Sequence, residues 1–155
     1  SKLADEDQAV FYTLYRIHKN PNLIYKGVNY GNAKEFVNGL NSEITEDMRA
    51  IINNDLFEFY LKANGYEPAL IDQVRRIIKM NNSSPDFVPR MLYYLFNREK
   101  EYEINGKTIS TIDEFVGEVV NMDLADIEKM TNDTKLMAWL YSIGYKDDIL
   151  KFFEL

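Results

Sequence analysis

One histidine, no cysteine and a surplus of carboxylates and aromatic rings define the chemistry open to this chain. His18 is the sole imidazole, so a serine triad would have to be built on it, and cysteine nucleophiles and thiolate metal ligands are excluded. It stands beside Lys19 near the end of the first amphipathic segment, where an imidazole reads as a surface or helix C-terminal group. No Gly-x-Ser-x-Gly elbow, glycine-rich phosphate loop or His-Glu-x-x-His pair accompanies it. The carboxylates are the stronger candidates for chemistry. Asp113, Glu114 and Glu118 share one predicted helix and Asp123, Asp126 and Glu128 open the next, so two acidic faces could meet around a divalent ion. Asp123-Leu124-Ala125-Asp126 nevertheless lacks the alternating oxygen ligands and the glycine of a calcium loop. Acidic residues at helix starts are in any case favoured by the free amides there. Asn53-Asn54-Asp55 and Asn132-Asp133-Thr134 read equally well as helix caps. The expectation is therefore no catalytic residue, no metal and no cofactor.

The aromatic content offers binding rather than reaction. Eleven tyrosines, nine phenylalanines and one tryptophan are many for 155 residues, and Tyr and Trp supply rigid, amphipathic contact area. Tyr12, Tyr60, Trp139 and Tyr141 are the candidate binding residues. Tyr60 and Trp139 occupy matching places in a repeated segment, so a core role competes with a surface role for that pair. Tyr141 stands where the other segment has Lys62, and Tyr12 where it has Met91, which marks both as sites of difference between the two halves.

The elements that would position these residues come twice. Phe57-Glu58-Phe59-Tyr60-Leu61-Lys62-Ala63-Asn64-Gly65-Tyr66 recurs as Leu136-Met137-Ala138-Trp139-Leu140-Tyr141-Ser142-Ile143-Gly144-Tyr145, 79 positions later. At the same offset Asp7 meets Asp86, Tyr15 meets Tyr94, Gly27 meets Gly106, Glu35-Phe36-Val37 meet Glu114-Phe115-Val116, and Asn53 meets Asn132. Register held this long predicts two tandem helical modules of similar fold, residues 1–79 and 80–155, closely packed. Gly65 and Gly144 are expected just past a helix end, where the following Tyr66 and Tyr145 would lie on Leu61 and Leu140. Glu35 follows Asn32 by three and Glu114 follows Thr111 by three, the capping-box spacing. Ala33, Phe36, Val37 and Leu40, matched by Ile112, Phe115, Val116 and Val119, form the i, i+3, i+4, i+7 stripe of a helix on a core. Tyr102–Ile109 alternates about Asn105-Gly106, and Tyr25–Gly31 is its weaker counterpart, so each module should carry a small hairpin.

The predicted fold class is mainly α with small β-hairpins, each module holding about five short helices and one two-stranded hairpin. Pro68 sits where the last helix of the first module should begin, and Ser84-Pro85-Asp86 reads as the cap and first turn opening the second. Arg75, Arg76 and Lys79 form one basic patch, near a helix C-terminus that favours cations.

Charge separates the halves. Residues 1–79 hold ten Lys/Arg against eleven Asp/Glu, net −1, and residues 80–155 eight against fourteen, net −6, which together give the −7 of the chain. An acidic second module repels phosphate, so nucleic acid is not expected as the main ligand. No apolar run reaches the ~20 residues of a bilayer-crossing helix, so no membrane insertion is expected, and the chain is expected to be soluble and cytoplasmic. Starting with Ser1, the sequence reads as a segment of a longer protein. These features predict a non-enzymatic interaction or scaffolding domain, its partner another protein or another domain of the parent chain. An acidic decoy for a nucleic-acid enzyme and a small carboxylate- or metal-dependent hydrolase are the alternatives.

Overall fold

In the computed structural model, which describes residue 10, residues 22–80 and residues 84–145, short helices alternate with two hairpins. The order is β1 (Ile24–Tyr25), β2 (Val28–Asn29), α1 (Ala33–Gly39), α2 (Glu46–Asn53), α3 (Leu56–Ala63) and α4 (Pro68–Ile78). It continues with α5 (Phe87–Phe96), β3 (Tyr102–Ile104), β4 (Lys107–Ile109), α6 (Ile112–Val119), α7 (Leu124–Thr131) and α8 (Thr134–Ser142). The protein is mainly helical, with two small two-stranded antiparallel sheets. Two compact units divide the chain, Ser1–Tyr93 and Tyr94–Leu155. His18, Tyr12, the first predicted helix apart from Val10 and the apolar stretch at 152–155 lie outside the described residues.

Both hairpins turn the same way for the same reason. Lys26-Gly27 and Asn105-Gly106 have φ of 50° and 77°, and 52° and 74°, the left-handed pair that matches strand twist in a two-residue turn. The register pairs Tyr25 with Val28 and Ile104 with Lys107 directly across each turn. In the second unit the hairpin is fastened to α8. Trp139 Nε1–H donates to the Lys100 carbonyl at 2.8 Å, Lys100 Nζ donates to the Ser142 carbonyl at 3.1 Å, and the Tyr102 ring stacks on Trp139 with centroids 5.4 Å apart.

The helix ends follow from their residues. Asn32 Oδ1 accepts from Glu35 N at 2.9 Å while the Glu35 carboxylate accepts from Asn32 N, a reciprocal cap. Thr111 Oγ1 accepts from Glu114 N at 3.2 Å, but the Glu114 carboxylate reaches one residue further back, accepting from Ser110 N at 3.3 Å. Pro68 occupies the first turn of α4, where its missing N–H is no loss. The helix after the linker begins at Phe87, with Ser84–Asp86 forming the turn before it and Asp86 O accepting from Arg90 N, so it starts later than the Ser-Pro-Asp signal suggests.

At the exits of α3 and α8, Gly65 and Gly144 have φ of 78° and 104°. Tyr66 N donates to Leu61 O and Tyr145 N to Leu140 O, each at 3.1 Å, and the glycine amides donate to Lys62 O and Tyr141 O. A residue without a side chain tolerates this geometry, and the reversed bonds satisfy carbonyls that the helix leaves open.

The first unit is built on Phe36, Val37, Leu40, Ile51, Ile52, Phe57, Leu61 and Val74, each at most 1% exposed. Phe36 and Phe57 pack with ring centroids 5.2 Å apart. The second is built on Leu136, Ala138, Trp139 and Tyr94, whose hydroxyl donates to the Glu101 carbonyl at 3.0 Å. One expected core residue is missing from it. Val116, aligned with the fully buried Val37, is 52% exposed.

Candidate functional site

A hollow of about 420 Å³ opens on the first unit, lined by Asn32, Tyr60, Asn64, Gly65, Tyr66 and Glu67. It forms where the left-handed Gly65 turns the chain away from α3 and leaves the cap of α1 alongside. Its amides are already engaged. Asn64 Nδ2 donates to the Tyr60 carbonyl at 2.9 Å, and Asn32 Oδ1 caps α1. Glu67 is its one carboxylate, and the Tyr60 and Tyr66 side chains line it too.

Several carboxylates elsewhere are bound into the scaffold. Glu58, 9% exposed, accepts from Arg75 Nε and lies 3.3 Å from Lys62 Nζ, while Arg75 also reaches Asp72 at 3.2 Å. This ties α3 to the C-terminal end of α4 and uses one member of the basic patch. In the second unit Asp133 caps α8 through Lys135 N at 2.9 Å and accepts from the Tyr102 hydroxyl at 2.8 Å. Burial, then the neighbouring Asp133 charge, push the Tyr102 phenol well above its ordinary range. The Thr111 hydroxyl holds Glu114 below the usual carboxylate range, and Lys107 at 2.9 Å does so for Glu118. Among the described residues no three His, Cys, Asp or Glu side chains group to hold a metal ion, and no helix is long and apolar enough to cross a membrane.

The four aromatic candidates separate. Tyr60 is 1% and Trp139 0% exposed, so each spends its ring on its own unit, although Tyr60 also borders the hollow. Tyr141 is half-buried on α8. Tyr12 lies outside the described residues.

The feature that the aromatic search passes over is an aliphatic one. Val116 in α6 and Val120, the residue that caps its C-terminal end, are one turn apart and 52% and 75% exposed, and Leu124, the first residue of α7, is 80% exposed. The matched positions of the first unit hold Val37, 0% exposed, and the polar Asn41 and Thr45. Val116 reads as core from spacing alone, because an outward valine and an inward one look alike in a helical stripe. The available signal is the comparison between halves, in which a polar pair, Asn41 and Thr45, becomes an apolar pair, Val120 and Leu124. A contiguous exposed apolar patch marks a contact surface more often than scattered apolar residues do. Acidic residues border them, with Asp113, Asp123, Asp126 and Glu128 all exposed.

Comparison with protein-family models, curated proteins and solved structures finds no match to this chain.

Proposed function

We propose that this chain is a non-enzymatic protein-interaction domain made of two related helical modules, residues 1–79 and 80–155, and that the second module carries the contact surface. What carries the reading is the Val116, Val120 and Leu124 face, exposed at positions whose counterparts in the first module are buried or polar. An acidic border around an apolar centre suits a partner with a basic rim, since opposed potentials speed encounter and select orientation.

The module reading is supported by the element order. Hairpin, α1, α2 and α3 recur as hairpin, α6, α7 and α8 with starts displaced by 78 or 79 residues, and both the turn pairs and the exit glycines repeat their left-handed φ. Duplication provides two scaffolds, one of which can change its face without losing its fold. The partner is another protein or another domain of the parent chain.

The test uses the chain as bait in a chemical cross-linking experiment with extract from its source, alongside Val120→Asp/Leu124→Asp bait. Cross-links that concentrate on residues 112–128 and vanish with the double variant are the expected result. Turnover of a substrate together with cross-links that ignore the double variant would overturn the proposal.

A further inference from the structure

The exits of α3 and α8 treat one carbonyl differently. At the end of α8, Lys100 Nζ donates to the Ser142 carbonyl at 3.1 Å, an ammonium set against the negative end of the helix. The matched residue, 79 positions earlier, is Ala63, the last of α3. The Tyr60, Leu61 and Lys62 carbonyls accept from the Asn64, Tyr66 and Gly65 amides, whereas that of Ala63 accepts from nothing among the described residues. Where the second unit has Lys100, the first has Pro21, which carries no ammonium. Lys62, the one lysine of α3, is engaged elsewhere, 3.3 Å from Glu58 and 5.4 Å from the centre of the Phe59 ring.

Beside that open carbonyl lies the hollow, whose lining includes Tyr60, Asn64 and Gly65. Its volume of about 420 Å³ falls within the roughly 300–1,000 Å³ of small-ligand sites. Acceptors dominate it. Glu67 is exposed, makes no cap bond to α4 and has no ion-pair partner among the described residues, and Asn64 keeps its Oδ1 after giving Nδ2 to the Tyr60 carbonyl. An anion fits poorly, although Asn32 retains its Nδ2 as a donor. It would face Glu67, and the amino end of α1 is already served by Asn32 Oδ1, with the Glu35 carboxylate on Asn32 N. In the second unit Asn64 is matched by Ile143 and Glu67 by Lys146, so the acceptors are confined to the unit whose exit lacks an ammonium of its own.

We infer that the hollow at the α3 exit binds a primary alkylammonium group, which donates to the Ala63 carbonyl and the Glu67 carboxylate and lays its alkyl stem along Tyr66. A lysine side chain of a partner and a free polyamine both present this group. The equivalence of the two exits rests on the module reading, while the acceptor character of the hollow stands without it.

The isotope-labelled full chain is titrated with n-butylammonium, tetramethylammonium and butyrate and followed by amide chemical shifts. Saturable shifts at residues 64–67 with n-butylammonium in the millimolar range are expected, and none with tetramethylammonium, which has no N–H to donate, or with butyrate. Glu67→Gln should weaken binding about threefold to fivefold, the worth of an exposed charge partner, and Glu67→Lys should abolish it with far-UV circular dichroism unchanged. Spermidine and acetyl-Gly-Lys-Gly-amide run in parallel separate the two sources: both support the seat by binding there, and the tighter of them identifies which source it takes. Equal shifts with tetramethylammonium or butyrate, shifts that survive Glu67→Lys, or no saturable shift at residues 64–67 would overturn the inference. The interaction reading fails separately. An empty hollow with cross-links on residues 112–128 that vanish in Val120→Asp/Leu124→Asp would sink the ammonium seat alone, whereas ammonium binding with cross-links that ignore that double variant would sink the contact surface alone.

Discussion

Val37 and Val116 are the same residue at matched helical positions, one 0% and the other 52% exposed, and truncating each to alanine measures what that difference is worth. At Val37 two methyl-sized groups leave the core, about 1.6 kcal/mol at ~0.8 kcal/mol per buried carbon. A residual cavity of about 40 Å³ adds roughly 1 kcal/mol, and the better helix propensity of alanine returns about 0.6 kcal/mol. The net loss is about 2 kcal/mol. At Val116 half the transfer loss, about 0.8 kcal/mol, applies, no cavity forms, and the same propensity gain nearly cancels it, leaving roughly 0.2 kcal/mol. Urea unfolding of the full chain, monitored by far-UV circular dichroism, should show the first variant clearly weakened and the second indistinguishable from wild type. A loss above about 1 kcal/mol for Val116→Ala, beyond what an exposed site can yield, would mean this face is covered in the free protein, and the case for a docking surface would fail.

Three further outcomes follow from the second unit and the helix exits. Tyr102→Phe removes a donor from the Asp133 carboxylate while keeping the ring stack on Trp139; it should cost about 1.5–3 kcal/mol, and a double-mutant cycle with Asp133→Asn should return most of that as coupling. Trp139 fluorescence is the readout, since the chain has one tryptophan and it lies in this unit. Because the folded Tyr102 phenol ionises at higher pH than an unfolded one, its contribution is fully present below about pH 10 and is lost as pH climbs beyond it; stability should fall there by up to about 1.4 kcal/mol per pH unit in wild type, with a shallower slope in Tyr102→Phe. Gly65→Ala and Gly144→Ala should each cost about 1–2 kcal/mol in denaturant melts through backbone strain alone, because a Cβ at either meets nothing within 4 Å, and asparagine should cost less than alanine.

Much of this fold is legible in the residues because its signals are local. A turn at Asn105-Gly106, a cap at Asn32 with Glu35, and an exit at Gly144 are each decided by a few neighbouring φ angles and amides, and they need no distant partner. Tyr102 meeting Asp133, Trp139 donating to Lys100, and Arg90 gripping the end of α1 are separated by 31, 39 and about 50 residues along the chain, and periodicity carries no information on such pairs.

The same distinction separates the scaffold from the surface. Spacing alone determines that Phe36, Val37, Phe115 and Val116 lie along helical stripes, since a 3.6-residue turn places them there whatever surrounds them. Which stripe is covered is settled by what other elements arrive to cover it: Val37 is enclosed and Val116 is not. Burial belongs to the neighbours as much as to the residue, and so the candidate contact face became visible only when the chain was folded.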